Sequence, residues 1–221
     1  MPSMTVDIFS DMVCPWCWLG KRRLEQALAA RPDLSVEIRF HAFQLDPTIP
    51  PEGISRREYM TRKFGDLSQI EARHAQLAAM GATEGLDFRF EQVQRSPNTR
   101  NAHRLVAIAA DGGRQAEIVE RLHHAYFAEG LDIGDAAVLE QIADDCGSGA
   151  DWREASVTGA GNDTVDVDLD TAARLGIRGV PFFIFDGRYA LSGAAEPAVI
   201  GQAMDKVLAE RQLQPVAEPA G

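Results

Sequence analysis

The sequence predicts an α/β fold: strand–helix–strand near its start, helix–strand–strand–helix near its end, and a block of helices between. Three observations predict it. Apolar and polar residues alternate over residues 5–9 and 36–43, with one helical pattern between them. Apolar residues then recur at three- and four-residue spacing through the middle of the chain. Finally, Phe182-Phe183-Ile184-Phe185 and Arg188-Tyr189-Ala190-Leu191 flank Asp186-Gly187, the signature of a tight antiparallel hairpin.

The first strand, Thr5-Val6-Asp7-Ile8-Phe9, leads through Ser10-Asp11-Met12-Val13 into a helix. Pro15 suits the first helical position, where a missing N–H costs nothing. Cys17, Gly20/Lys21, Leu24 and Leu28 follow at helical spacing, so that face is expected to pack on the sheet. The second strand reads as parallel to the first and places His41 on its polar side, a surface or sheet-edge histidine rather than a catalytic one. Pro47, Pro50 and Pro51 mark an extended linker. Helices are then expected over residues 55–64, along Leu67, Ile70, His74 and Leu77, and from Ser96-Pro97 to Gly112-Gly113. His74 reads as a satisfied core histidine. Two more helices carry Ile118, Leu122, Ala125 and Tyr126, and, after an Asp135 cap, Leu139, Ile142 and Cys146. His123 and His124 are adjacent, so they diverge and do not chelate together. Cys146 reads as a buried, inert thiol. Residues 162–175 fit an alternating strand or a helix, and Ala172-Ala173-Arg174-Leu175 before Gly176 favours the helix. A last helix starts at Pro197 with Ile200, Met204, Val207 and Leu208 inward, and the tail after Gln212 is expected to be loose.

Cys14-Pro15-Trp16-Cys17 lies where the first strand meets the first helix. Two cysteines separated by two residues can close a small disulfide and open it again. Unpaired N–H groups and the helix dipole at the N-terminus favour a thiolate at Cys14, and the thiolate is the species that attacks a disulfide. Cys17 falls on the sheet-facing side. The expected arrangement is therefore asymmetric, with Cys14 open to substrate, Cys17 sheltered, and Trp16 between them on the surface. A CxxC is also half of many zinc sites, but these need four ligands. Cys146 has no CxxC partner and the five histidines form no HxxxH pair, so no metal is expected. An inert pair is the remaining alternative.

Composition sets the outer limits. A chain of 221 residues holds one large domain, or a core domain with another inserted. Hydrophobic residues at 45% and charged residues at 25% point to a folded protein rather than a disordered one. The net charge of -11 excludes general binding of nucleic acid or anionic membranes. Lys21-Arg22-Arg23 reads as a solvated helix face that would also favour an anionic thiol such as glutathione. Three cysteines are too few for a disulfide-built scaffold. The first residues carry no signal-peptide pattern, and no apolar stretch is long enough to cross a bilayer. The expected setting is a reducing cytoplasm, where a dithiol acts as reductant, isomerase or redox responder. Monomer and homodimer both stay open.

The element order, the CPWC at the first helix and the Val-Pro before the hairpin resemble the DsbA family, and most closely its FrnE-like branch. Residues 14–20 resemble that branch's active-site segment, Ala102-His103-Arg104-Leu105 and residues 125–134 resemble two signatures of its helical insert, and Gly179-Val180-Pro181-Phe182-Phe183 with Ser192-Gly193 resembles its C-terminal half. The resemblance implies a thioredoxin-like fold with a large all-helical insertion: residues 1–45 and 160–212 as the discontinuous thioredoxin-like domain, 46–159 as the insertion and 213–221 as the tail. It implies Cys14 as nucleophile, Cys17 as resolving thiol and a cis Val180-Pro181 facing them, with Pro15, Trp16 and Val180 meeting substrate. A trans proline that only begins a strand is the alternative at Pro181. A carboxylate beside the inner cysteine often accepts its proton in this fold; Asp7 and Asp11 are the candidates, each also readable as structural. No cysteine follows Cys146, so the second redox motif of some relatives is missing.

Thiol–disulfide exchange at Cys14 and Cys17 is thus the leading expectation, with thiol or disulfide substrates, no tightly bound cofactor and glutathione as a conceivable co-substrate. The second is a glutathione-dependent isomerase or transferase of the hydroxychromene-carboxylate or kappa-class type, which shares the architecture but usually has serine at the first position. A third is a partner-binding module using an exposed apolar groove near Trp16 and Trp18.

Overall fold

The computed structural model describes residues 3–65 and 67–213. In chain order its elements are β1 (Ser3–Ser10), α1 (Pro15–Ala29), β2 (Ser35–Ala42), β3 (Ile54–Ser55), α2 (Arg56–Phe64), α3 (Leu67–Thr83), β4 (Arg95–Ser96), α4 (Arg100–Ile108), α5 (Gln115–Phe127), α6 (Ala136–Asp145), α7 (Gly149–Thr158), α8 (Asn162–Arg174), β5 (Phe182–Phe185), β6 (Tyr189–Ser192) and α9 (Pro197–Leu213). The tail expected after Gln212 lies, from residue 214, outside the described residues.

Four strands form the main sheet in the order β2-β1-β5-β6. β1 is parallel to β2, from Ser3↔Ser35 to Ser10↔Ala42, because α1 carries the chain back over the sheet between them. β1 runs antiparallel to β5, with Phe9 opposite Phe182. The β5–β6 turn holds Asp186 at φ 52 and Gly187 at φ 64, the left-handed pair that the Asp-Gly signature requires. The alternation along β1 serves two faces. Met4, Val6 and Ile8 join Leu24 of α1 and Ile200, Met204 and Val207 of α9 in the main core. Phe9 packs with Ala172 of α8 and Ile177 on the other side.

Residues 162–174 are helical, as α8. Asp135 caps α6, its carboxylate accepting the Ala137 and Val138 N–H groups. Cys146 is buried, and burial first, then Glu117 and Asp145, pushes its thiol pKa up. The helical block also contains a short antiparallel pairing, Ile54↔Ser96 and Ser55↔Arg95. That pairing corrects the expected start of α4. Ser96 is held extended by β3, so the helix begins at Arg100, where the Asn98 side chain accepts the Arg100 N–H. The helix also ends at Ile108, before the two glycines expected to stop it.

His41 lies on the edge strand β2, as read, but is held there by partners that the sequence does not show. It is half-buried, with Nε2 3.0 Å from Asp7 Oδ1 and Nδ1 2.7 Å from Asp168 Oδ1, and it stacks on Phe9. It pins β2 to β1 and α8, which the alternation of β2 alone does not reveal. Burial by itself lowers its pKa, but the hydrogen bonds and charges of Asp168 and Asp7 win and raise it from 6.5 to about 9. A histidine raised on folding contributes stability that is complete below its unfolded pKa and is lost as pH rises through the folded one. Thermal unfolding of the wild type is therefore expected to shift downward as pH rises from about 7 to about 9.5. In His41→Gln that contribution should be gone, with a lower melting temperature at pH 7 and a flatter slope. An identical slope in the variant would show that the clamp carries no pH-linked stability.

Candidate active site

The antiparallel pairing of β1 with β5 sets the end of β1 beside the start of β5. The β1–α1 connection and the segment before β5 therefore meet. Cys14 is the residue before α1, extended at φ -94 and ψ 111, with Pro15 opening the helix. Its N–H donates to the Asp11 carbonyl at 2.9 Å, and its own carbonyl accepts the Cys17 N–H at 3.0 Å. Its thiol points across to the Val180 carbonyl, Sγ to O 3.5 Å. The Val180–Pro181 peptide is cis. The Gly193 N–H donates to the Pro181 carbonyl at 2.8 Å and ties this segment to the end of β6.

Gly20 lets α1 lie this close. A Cβ there would stand 2.8 Å from Pro181 Cγ and 3.2 Å from the Phe183 ring, closer than packed carbon atoms tolerate.

Cys17 is 2% exposed, beneath the first turn of α1. Burial first, then its hydrogen bond with Cys14 and the Cys14 charge, pushes its pKa well above the ordinary thiol value; the Ser10 side chain and the Asp11 backbone act in the opposite sense. Both residues are free thiols. Cys14 departs from the open position expected of it. It is only 4% exposed, because Val180 lies over it, and it faces a cavity of about 500 Å³ rather than bulk solvent. Trp16, 44% exposed, stands at the wall of that cavity with Pro15 and Val180. The structure thus gathers Cys14, Cys17, Pro15, Trp16, Val180 and Pro181 in one place.

Other expectations are corrected. Lys21-Arg22-Arg23 is not a solvated face. Lys21 and Arg23 are buried, Lys21 between Glu25 (2.5 Å) and Glu120 (2.6 Å), and Arg23 between Glu84 (2.7 Å) and Glu196 (2.8 Å). Arg22 pairs with Glu120 at 3.1 Å, so the cluster is neutralised by Glu25 on its own helix and by three acids distant in sequence. Trp18 forms no exposed groove; it is buried against Phe88 and Phe127, its indole N–H donating to Glu120 at 3.0 Å. His74 stacks on Phe90 at the cavity wall, half-buried instead of in the core. Of the two carboxylate candidates, Asp7 is engaged by His41. Asp11 is 1% exposed beside Cys14, one oxygen accepting the Leu45 N–H at 2.8 Å and the other 3.4 Å from His103 Nε2. His103 was within the Ala-His-Arg-Leu resemblance, but nothing in sequence spacing ties it to Asp11. Among the described residues no group of three or more His, Cys, Asp and Glu is placed to hold a metal ion.

Residues 5–205 match the family model described as DSBA-like thioredoxin domain. The uncharacterized protein YwbO of Bacillus subtilis (strain 168) is 27% identical over 201 residues, which is 90% of this chain and 94% of that protein. The crystal structure of a probable DsbA oxidoreductase, SCO1869 from Streptomyces coelicolor, superposes with a TM-score of 0.88 at 34% identity, over 99% of this chain and 96% of that one. Cytosolic disulfide reductase DsbM from Pseudomonas aeruginosa shares the fold, with a TM-score of 0.62 and 23% identity over 95% of this chain and 98% of that one. The chain belongs to the DsbA-like thioredoxin family, with a thioredoxin-like α/β fold interrupted by a helical insertion.

The contact at Gly20 generates a test. In Gly20→Ala, better helix propensity offsets about 1 kcal/mol of an overpacking cost of about 1–3 kcal/mol, so stability should fall by about 0–2 kcal/mol. Displacing Pro181 from Cys14 should lower kcat/KM for disulfide reduction by about tenfold or more. Unchanged kinetics would show that the spacing between α1 and Pro181 is not critical.

Proposed function

We propose that the chain is a thiol–disulfide oxidoreductase that works by dithiol–disulfide exchange at Cys14 and Cys17. The observation that carries this reading is the placement of Cys14 at the head of α1 against the Val180 carbonyl, with the Cys17 thiol buried beneath it. In the reducing direction, the Cys14 thiolate attacks one sulfur of a substrate disulfide. A mixed disulfide forms and one substrate thiolate leaves. Cys17 then loses its proton, attacks the Cys14 sulfur and displaces the second substrate thiolate. The substrate gains two electrons and the protein ends as the Cys14–Cys17 disulfide, its redox-active group, with no other cofactor. The raised pKa of Cys17 keeps it protonated until a base takes its proton; Asp11 is the nearest buried carboxylate in the β1–α1 connection and suits that role.

Pro181 shapes the surface opposite Cys14, while Pro15, Trp16 and Val180 line the approach. Residues 1–45 and 160–212 carry the chemistry in this reading, and 46–159 close one side of the approach. A reductase in a reducing cytoplasm fits best, the direction named for DsbM. Among the described residues no helix is long and apolar enough to cross a membrane. The second reading, a glutathione-dependent isomerase or transferase, has one observation in its favour: the cavity beside Cys14 suits a small substrate.

Insulin reduction by dithiothreitol separates the two. Wild type should accelerate it, Cys14→Ser and Cys17→Ser should both abolish the acceleration, and Cys17→Ser should accumulate a mixed disulfide at Cys14. Acceleration that survives both substitutions defeats the redox reading. Glutathione-dependent turnover of an aromatic substrate that persists in Cys17→Ser supports the isomerase.

A further inference from the structure

The cavity beside Cys14 has a composition that disulfide exchange alone does not explain. Its lining is largely apolar, with Val13, Leu45, Ile49, Met60, Ile70 and Leu77 among its residues. Three cations from α2 and α3, Arg56, Lys63 and Arg73, line the same space. Arg56 donates to the Tyr126 hydroxyl at 3.3 Å and Lys63 to the Tyr59 hydroxyl at 2.6 Å. Both also lie over the Tyr59 ring, at 6.0 and 5.1 Å from its centroid. Among the described residues no carboxylate pairs with any of the three. Other cations also lack a carboxylate, among them Arg104, Arg114 and Lys206, but Arg56, Lys63 and Arg73 differ in converging on one cavity.

The carboxylates that line the cavity are already engaged. Asp46 accepts from Arg62 at 3.0 Å and from the Thr48 hydroxyl; Asp11 accepts the Leu45 N–H with Oδ2, while its buried Oδ1 lies 3.4 Å from His103 Nε2 without a hydrogen bond. The local field is felt by His74, whose pKa burial first and then the Arg56 charge push down to about 4. Neutral His74 stacked on Phe90 extends the aromatic wall without adding a fourth cation. A space of about 500 Å³ falls in the range of pockets for small molecules, roughly 300–1,000 Å³, and it is apolar over most of its surface with a few convergent polar groups.

We propose that this cavity is a substrate site for a low-molecular-weight disulfide with an apolar or aromatic body and a carboxylate, the carboxylate meeting Arg56, Lys63 and Arg73 while one sulfur meets Cys14. The inference rests on the redox reading and narrows its substrate class. Cys14 thiolate attacks the near sulfur of R–S–S–R, Cys14–S–S–R forms and RS⁻ leaves. Cys17 gives up its proton and displaces the second RS⁻, which yields two thiols and the Cys14–Cys17 disulfide. An external thiol reductant returns the pair to the dithiol form.

The test is single-turnover stopped-flow reaction of the reduced protein, in a Cys146→Ser background, with two aromatic disulfides. One is anionic, 5,5′-dithiobis(2-nitrobenzoate), and one is neutral, 4,4′-dithiodipyridine. The readout is the ratio of their second-order rate constants in each variant divided by the same ratio in wild type, so the intrinsic reactivity of each reagent cancels. Arg73 is exposed and has no partner among the described residues, so Arg73→Glu should fold. Arg73→Glu with Lys63→Glu should lower the ratio by about tenfold, roughly the effect of one well-placed charge pair. Arg73→Lys should largely restore it. Unreactive 2-nitrobenzoate should slow the anionic reaction in wild type and lose that effect in the double variant. A ratio within twofold of wild type in Arg73→Glu and the double variant, or an equal fall for both reagents, overturns the anion site. Failure of the redox reading looks different: the fast phase with either reagent would persist in Cys14→Ser.

Discussion

The contact between the head of α1 and the Val180–Pro181 segment is the constraint on which the site depends. These pieces are 166 residues apart in the chain, yet the Cys14 thiol rests on the Val180 carbonyl. Two features of the fold bring them together. The antiparallel pairing of β1 with β5 places the last residues of one strand beside the first of the other, so the connections that follow β1 and precede β5 leave the sheet at the same edge. Gly20 then removes the one side chain that would hold α1 away from Pro181. With that spacing set, Cys17 is covered by the sheet and Cys14 is left facing the cavity.

Both thiols are buried, and what distinguishes them is that Cys14 lines the cavity while Cys17 does not. Removing Cys17 from water disfavours its charged form, and the neighbouring sulfur adds to this through its hydrogen bond and charge. Under the proposed exchange a protonated Cys17 suits the order of steps, because a resolving thiol that stayed ionised would compete for the substrate from the start. The Val180 carbonyl also changes how the outer sulfur is approached. In the proposed reading a substrate would reach Cys14 through the cavity that residues of α2 and α3 help to line.

The charges are organised by the same insertion. Lys21 and Arg23 sit on the buried face of α1 because Glu120 of α5 and Glu84 after α3 are there to meet them. Ion pairs of this kind contribute modest net stability, since desolvation offsets much of the attraction, but they leave α1 few alternative placements. His41 does the same for β2 through Asp7 and Asp168. Arg104 extends the pattern with neutral partners, donating to the Ala160 and Ala155 carbonyls near the end of α7. Gln115 of α5 joins the helical block to the sheet directly, accepting the Phe40 N–H and donating to the Phe40 carbonyl of β2.

Local patterns were enough to read the strands β1 and β2, the helix after Cys14, the Asp-Gly turn, the Asp135 cap and the inward face of α9. Each of these is decided by residues within one or two turns of one another, through steric limits on the backbone, periodic burial or a cap hydrogen bond. The placement of Cys14 and Cys17 at a helix start was likewise readable from four residues. What local pattern could not supply was every feature requiring a distant partner. Ser96 reads as a helix cap until Ile54 pairs with it. Lys21 and Arg23 read as solvated until Glu120, Glu84 and Glu196, all distant in the chain, meet them. His41 reads as peripheral until Asp168 arrives from α8. The roof over Cys14, the Asp11–His103 pair behind it and the cationic wall in front of it belong to the same group. They exist only once segments far apart in the chain are packed together, because a hydrogen bond or an ion pair depends on distance in space and leaves no periodic trace along the backbone.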